Sequence, residues 1–328
     1  MGKASLAGVD LKLNRAKDHF FAPSDQITAF QTDPESYSVA LEHEAKRGMG
    51  ICRVADVRSP PAAIGVGVGE CLHQYRSALD HLLFQLVVAN RKGRLPARVE
   101  RRAEFPIFNS GPRFRRMSKR KGVPSPGSGR AKIQDIAPEA QAVIERLQPY
   151  HRRKYPGTRS LRQLQELSNI DKHRLLHVTY SAFKGSDFEF EVANVAGITD
   201  FGFRPGPLKR NAPVATWRAV PIDPSRGMKV DVKIEITTDI TFGKASPAVS
   251  ARGRSVVKTL FGIGAFIASD VLPPLCDVLG LASEFQPGKL IDVDTIPLAE
   301  RDATAERIRI ANLKSVQRTA RRASTEKG

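Results

Sequence analysis

Residues 71–88, CLHQYRSALDHLLFQLVV, limit what this chain can fold into more than any other stretch. On a helix turning about 100° per residue, Leu72, Tyr75, Ala78, Leu79, Leu82, Leu83 and Leu86 share one broad face. His73, Arg76, Ser77, Asp80 and His81 occupy the other, which turns apolar one turn later with Phe84, Val87 and Val88. A helix of this kind needs cover on one side at its start and all round at its end. It predicts a helical core with a polar cluster at the mouth of a crevice. Asp80 follows Arg76 by four residues and His73 precedes it by three, so these groups can touch.

A second helix offers a complement. In LRQLQELSNIDKHRLLH, Leu161, Leu164, Leu167, Leu175 and the following Val178 form an apolar stripe from which Ser168 and Asp171 project. A carboxylate in such a stripe is unfavourable unless paired. Arg76 or His73 is the expected partner, giving a half-buried network of Arg76, Asp171, Asp80, His73 and His81. An imidazole with a guanidinium can cleave RNA without metal: one accepts the 2′-hydroxyl proton, the other stabilises the phosphorane charge. In that reading His81 is acid/base, Arg76 the phosphate stabiliser, and His73, Asp80 and Asp171 orient them. In the other reading Arg76 and Asp171 only fix how two helices pack.

The predicted fold class is α+β, a helical bundle with a β-hairpin and an antiparallel sheet. Its 328 residues, 41% of them apolar, suffice for a sizeable core. Helices are predicted over about 10–31 (kinked or broken at Pro23), 62–91, 136–178 (interrupted near Gln148-Pro149-Tyr150) and 255–279 (interrupted at Pro273-Pro274). Alternating apolar residues predict a hairpin over 36–57 and a sheet over about 185–242. Residues 93–131 read as an exposed basic loop, 1–282 as one α+β domain, and 283–328 as a basic C-terminal extension. Lys258 and Asp270 leave too short an apolar run to cross a bilayer, and the opening residues lack the apolar core of a signal peptide. Cys52, Cys71 and Cys276 make no disulfide framework and no C-x-x-C pair. A cytoplasmic protein, without membrane contact, is expected.

The formal net charge of +18 is concentrated. Residues 91–132 hold fourteen Lys or Arg against Glu100 and Glu104, and residues 146–174 hold eight against Glu166 and Asp171. Such blocks favour a polyanionic partner, RNA before DNA, through counterion release. The candidate contacts are Arg113, Arg115, Arg116, Lys119, Arg120 and Lys121, then Arg152, Arg153 and Lys154. Tyr150, His151 and Tyr155 lie among the latter; aromatics amid cations can stack bases, although an ordinary exposed turn has the same composition.

The string Gly69-Glu-Cys-Leu-His-Gln-Tyr-Arg-Ser-Ala-Leu-Asp-His81 resembles the G-D-A-L-H-N-L-R-S-A-L-D-H signature of an uncharacterised family of bacterial proteins. The resemblance continues through Phe105-Pro-Ile-Phe108, Leu147-Gln-Pro-Tyr150 and Asn169-Ile-Asp-Lys-His-Arg174. More remotely, Arg76-Ser-Ala-Leu-Asp-His81 looks like the R-x(4–6)-H motif of the HEPN superfamily of helical-bundle proteins. That likeness implies a metal-independent endoribonuclease of a defence or toxin-like system, and possible pairing of two copies as a homodimer. Arg146 to His151 repeats the spacing across Pro149.

Rival chemistry has less support. His173 and His177 are spaced for one helix face, but no H-E-x-x-H accompanies them, so no metal and no cofactor is expected. Gly65, Gly67 and Gly69 fit close helix packing better than a phosphate loop. The function expected is nucleic-acid interaction, by an endoribonuclease or by a non-catalytic binding or assembly protein whose Arg/His/Asp cluster is structural.

Overall fold

The computed structural model describes residues 3–285 except 45–47, 93–98, 100–102, 121, 155 and 183–186. In chain order the helices are α1 (Ala7–Thr32), α2 (Ala62–Asn90), α3 (Gly111–Phe114), α4 (Gly129–Ile133), α5 (Pro138–Arg146), α6 (Arg159–Asp171), α7 (Val256–Phe266) and α8 (Leu272–Leu279). The strands are β1 (Tyr37–Glu44), β2 (Met49–Val57), β3 (Val178–Ala182), β4 (Asp187–Ala193), β5 (Val195–Phe203), β6 (Gly206–Pro207), β7 (Pro213–Pro221), β8 (Lys229–Glu235) and β9 (Thr238–Phe242). The fold is mixed α+β. Every described strand pairing is antiparallel. The residues 1–282, read together from the sequence, fall into two compact units.

The first unit comprises the residues up to Lys17, Leu72–Gln165, and those from Phe261 on. It is mainly helical, with Leu13, Leu72, Tyr75, Leu79, Leu82 and Leu83 fully buried beside Phe105, Phe114, Ile133 and Ile144. Part of that core comes from the stretch read as an exposed loop. Residues 103–131 carry two capped helices, Ser110 accepting from the Arg113 amide and Ser128 from the Ala131 amide. The apolar residues scattered through this basic run, Phe105, Ile107 and Phe114, are its anchors.

The long apolar helix near the C-terminus is not interrupted at Pro273-Pro274. A π turn, Ile267–Val271, precedes α8, and the Leu272 amide donates back to the Ile267 carbonyl. The two prolines then fall in the first turn of α8, where their missing N–H groups are not needed. Gly280, at φ 64°, ends the helix in the left-handed conformation that glycine tolerates. Contrary to the sequence expectation, Val256–Leu279 is long and apolar enough to span a membrane. More than half of its most apolar window is buried within the protein, as in a core helix.

The second unit comprises Asp18–Cys71 and Glu166–Leu260. Its strands form one sheet in the order β1-β2-β7-β5, a second in the order β6-β3-β9, and the pair β4-β8. β3 lies where helix was expected as far as Val178. α6 stops at Asp171, and Val178-Thr179-Tyr180, rich in β-branched and aromatic side chains, pairs with β9 instead. The buried Pro23 does not break α1, whose apolar positions Leu13, Ala16, Phe20, Ile27 and Phe30 are buried on both sides of it. Its ring lies against Gly67, while Gly65 faces the Leu176 carbonyl and Gly69 the Asp171 carboxylate. The three glycines do serve close packing.

Gly50 of β2 sits directly opposite Trp217 of β7, and any Cβ there would run into the indole. Trp217 is the chain's single tryptophan and is buried. Gly50→Ala is expected to displace the ring, lower the thermal midpoint and shift tryptophan emission to the red; unchanged emission would contradict this packing.

Candidate functional site

The polar face of α2 turns out to hold a piece of extended chain. Phe105–Phe108 is neither helix nor strand, yet Phe105, Pro106 and Ile107 are buried. Buried backbone groups need partners, and here side chains supply them. The Phe105 amide donates to Asp80 Oδ1 at 2.8 Å, and Arg76 Nη2 donates to the Phe105 carbonyl at 2.6 Å. Gln148, fully buried, donates from Nε2 to the Pro106 carbonyl and accepts the Phe108 amide on Oε1, both at 2.9 Å. Three side chains thus replace a sheet ladder.

Arg76 also pairs with Asp80 at 3.4 Å and Glu104 at 2.9 Å, and the other Glu104 oxygen receives Lys132 of α4. Its second terminal nitrogen, Nη1, is buried with no hydrogen-bond partner among the described residues. Arg76 is 9% exposed, so its guanidinium is buried, while Asp80 and Lys132 are half-buried and Glu104 reaches the surface. Burial pushes the Asp80 carboxyl above its ordinary value, against the pull of Arg76 and of the Phe105 amide.

The five residues expected to form one network are not one network. Arg76 and Asp80 meet, but the other partners of Arg76 are Glu104 and the Phe105 carbonyl, not Asp171. Asp171 belongs to the second unit, with its carboxylate against Gly69. His73 and His81 are exposed. The His81 ring lies over Gly8 of α1, where a Cβ would approach Nδ1 to 2.8 Å. Glu104, Lys132 and Gln148 were missed. The available signal was that Glu104 is one of only two acids among fourteen cations, beside the apolar Phe105-Pro-Ile-Phe108.

The same segment leads into the basic surface. Phe114, fully buried, meets Phe108 and Tyr150 edge-on at 5.7 and 6.0 Å between centroids. Arg115 donates to Glu145 at 2.8 Å, and its guanidinium carbon lies 5.4 Å from the centre of the Tyr150 ring. These contacts bring the basic run at 113–120 to the basic run at 152–154. The Met117–Pro124 bridge and the bond from the Ser118 amide to the Val123 carbonyl fold 117–124 into a turn carrying Lys119 and Arg120. Lys121 and Tyr155 lie outside the described residues.

Three of the four acids in 103–154 are already matched: Glu104 with Arg76 and Lys132, Asp135 with Arg91, and Glu145 with Arg115 and Arg130. Arg113, Arg116, Lys119, Arg120, Arg146, Arg152 and Arg153 are exposed, with no ion pair among the described residues. Arg115 is held in place by Glu145 and Tyr150, and Lys154 is exposed.

In the second unit, Glu166, Asn169, Ile170, His173, Arg174 and Pro247 line an open cleft of ≈ 440 Å³. Glu166 accepts from the amide and hydroxyl of Ser250 at 2.9 and 2.8 Å, tying α6 to the turn around Pro247. His173 and His177 lie beyond the end of α6, so their spacing does not place them on one helix face. Among the described residues no group of three or more His, Cys, Asp or Glu could hold a metal ion. Burial raises the Cys52 and Cys276 thiols to about 11, which leaves them protonated at neutral pH. Compared with protein-family models, curated proteins and solved structures, the chain matches none.

Arg76→Met strands a half-buried carboxylate and the Phe105 carbonyl, and is expected to destabilise the protein by about 3 kcal/mol in denaturant titration. Asp80→Asn keeps an oxygen for the Phe105 amide, and its effect is expected to stay within about 1 kcal/mol. The sign with pH follows from the raised Asp80 value. The folded state favours the protonated carboxyl, so this contribution is complete below the unfolded value of 3.8 and is lost as pH rises through the folded value. Asp80→Asn should remove that component of the pH–stability curve. A freely solvated Arg76 would instead make Arg76→Met nearly neutral.

Proposed function

We propose that this protein binds RNA through the basic surface of its first unit. Arg113, Arg116, Lys119, Arg120, Arg152 and Arg153 would contact phosphates, with Lys121 and Lys154 beside them in sequence. Arg115 would position the two runs. The observation that carries the reading is the cluster of unmatched cations beside acids that other cations already neutralise. Left in water, such a cluster holds counterions; a polyanion releases them and gains affinity for each phosphate matched.

A second reading takes the helical first unit as HEPN-like and the protein as an endoribonuclease, with His81 as acid/base. Its support is that His81 and His73 are exposed on α2, one of them five residues after Arg76. Against it, Arg76 is buried and already faces two carboxylates and a carbonyl, which leaves it little charge to offer a phosphorane. We therefore place binding first and read the Arg76 cluster as structural.

Binding should weaken linearly in log affinity against log salt, and each cation removed should reduce the slope by about 0.7 for a single strand. Changing Arg113, Arg116, Arg152 and Arg153 together to Ser should flatten that dependence while the thermal midpoint holds, since all four are exposed and none has an ion pair among the described residues. Salt-independent affinity would contradict the proposal. RNA cut in the presence of chelator, and left intact by His81→Ala protein of unchanged stability, would establish the endoribonuclease instead.

A further inference from the structure

We propose that His151 is a base-stacking platform in the middle of the basic surface, so that the nucleic acid recognised carries unpaired bases. This rests on the reading of that surface as a nucleic-acid site and adds which form of nucleic acid it takes.

Of the two described aromatics in the 150–155 run, Tyr150 is already engaged. Arg115 covers its ring, the edge of Phe114 abuts it, and its hydroxyl lies 3.5 Å from Glu145 Oε1. His151 is half-exposed. Its ring centroid is 4.4 Å from that of Tyr150 at a 47° tilt, and its side chain has no hydrogen bond or ion pair among the described residues. The rings therefore build outward in order: Phe114 in the core, Tyr150 against it, His151 on Tyr150.

The backbone beneath the ring is fixed. His151 ends the short 3-10 turn Pro149–His151; its amide donates to the Gln148 carbonyl, and its carbonyl receives the Lys154 amide at 2.9 Å. Gln148 and Pro149 are buried, and Gln148 is held by the Phe105–Phe108 segment. A ring presented from such a turn loses little conformational freedom when a base settles on it. Arg152 and Arg153 follow immediately and are exposed, so a nucleotide stacked on His151 would have cations within reach of its phosphate. Bases inside a duplex already stack on both faces, whereas an unpaired base can lay one face on a side chain. A platform flanked by cations thus favours single strands, loops and ends.

The test is fluorescence anisotropy at fixed moderate salt, using a labelled oligoribonucleotide of about twelve nucleotides, within the range of single-strand sites, alone and annealed to its complement. The wild-type protein should prefer the single strand. His151→Ala should weaken single-strand binding about tenfold and leave duplex binding unchanged. His151→Phe, which stacks but cannot hydrogen-bond a phosphate, should retain the affinity. Arg152→Ser with Arg153→Ser should weaken both forms alike. Equal binding of both forms with a neutral His151→Ala, or equal losses for the Ala and Phe variants, would overturn the platform and leave the basic-surface reading standing. Failure to bind either form would overturn both.

Discussion

A buried stretch of chain with no helix or strand of its own can persist only if side chains take the hydrogen bonds that secondary structure would supply. Phe105–Phe108 is such a stretch, and Arg76, Asp80 and Gln148 are those side chains. Their residue types follow from the task. A carbonyl beside two carboxylates needs a donor that also carries positive charge, which Arg provides; an amide needs an acceptor, which Asp80 provides. A site that must give and accept within one side chain calls for an amide such as Gln148. Burying a guanidinium is unfavourable by itself, and the Asp80 and Glu104 carboxylates offset it.

From this anchor the surface of the first unit is built. Once Phe105–Phe108 is fixed, Phe108 meets Phe114, Phe114 meets Tyr150, and Arg115 crosses back over Tyr150 to Glu145. Two basic runs about thirty residues apart in sequence become one surface. Three of the four acids in this region, Glu104, Asp135 and Glu145, are absorbed by structural pairs, so most of the remaining cations meet no competing carboxylate. The feature that looks most catalytic in the sequence thus serves construction, and the plainer feature, the charge, is what carries the binding we propose.

Much of the fold could be read from periodicity. The hairpin expected at 36–57 is β1 and β2, Tyr37–Glu44 with Met49–Val57, and the helix expected at 62–91 is Ala62–Asn90. What periodicity could not show was tertiary override. Pro23 should interrupt α1, but burial on both sides of it holds the helix together. Residues 103–131 look polar on average, and only Phe105, Ile107 and Phe114 betray that the run is anchored. The site was half legible. The contact of Arg76 with Asp80 follows from helical spacing, while Glu104 arrives from an irregular segment that no periodic pattern marks. Asp171 ends α6, so the apolar stripe expected to run on through Leu175 and Val178 stops there: Leu175 is exposed, Val178 opens β3, and the Asp171 carboxylate lies beside Gly69 in the second unit.

Amide hydrogen exchange at Phe105 and Phe108 tests most directly whether side chains alone hold this segment in place. If they do, both amides should exchange as slowly as those in the middle of α2, opening only when the first unit unfolds, and Arg76→Met should speed exchange at Phe105. Exchange at the rate of an exposed loop, with α2 still protected, would show that Phe105–Phe108 is not held, and the organisation of the basic surface would need another cause.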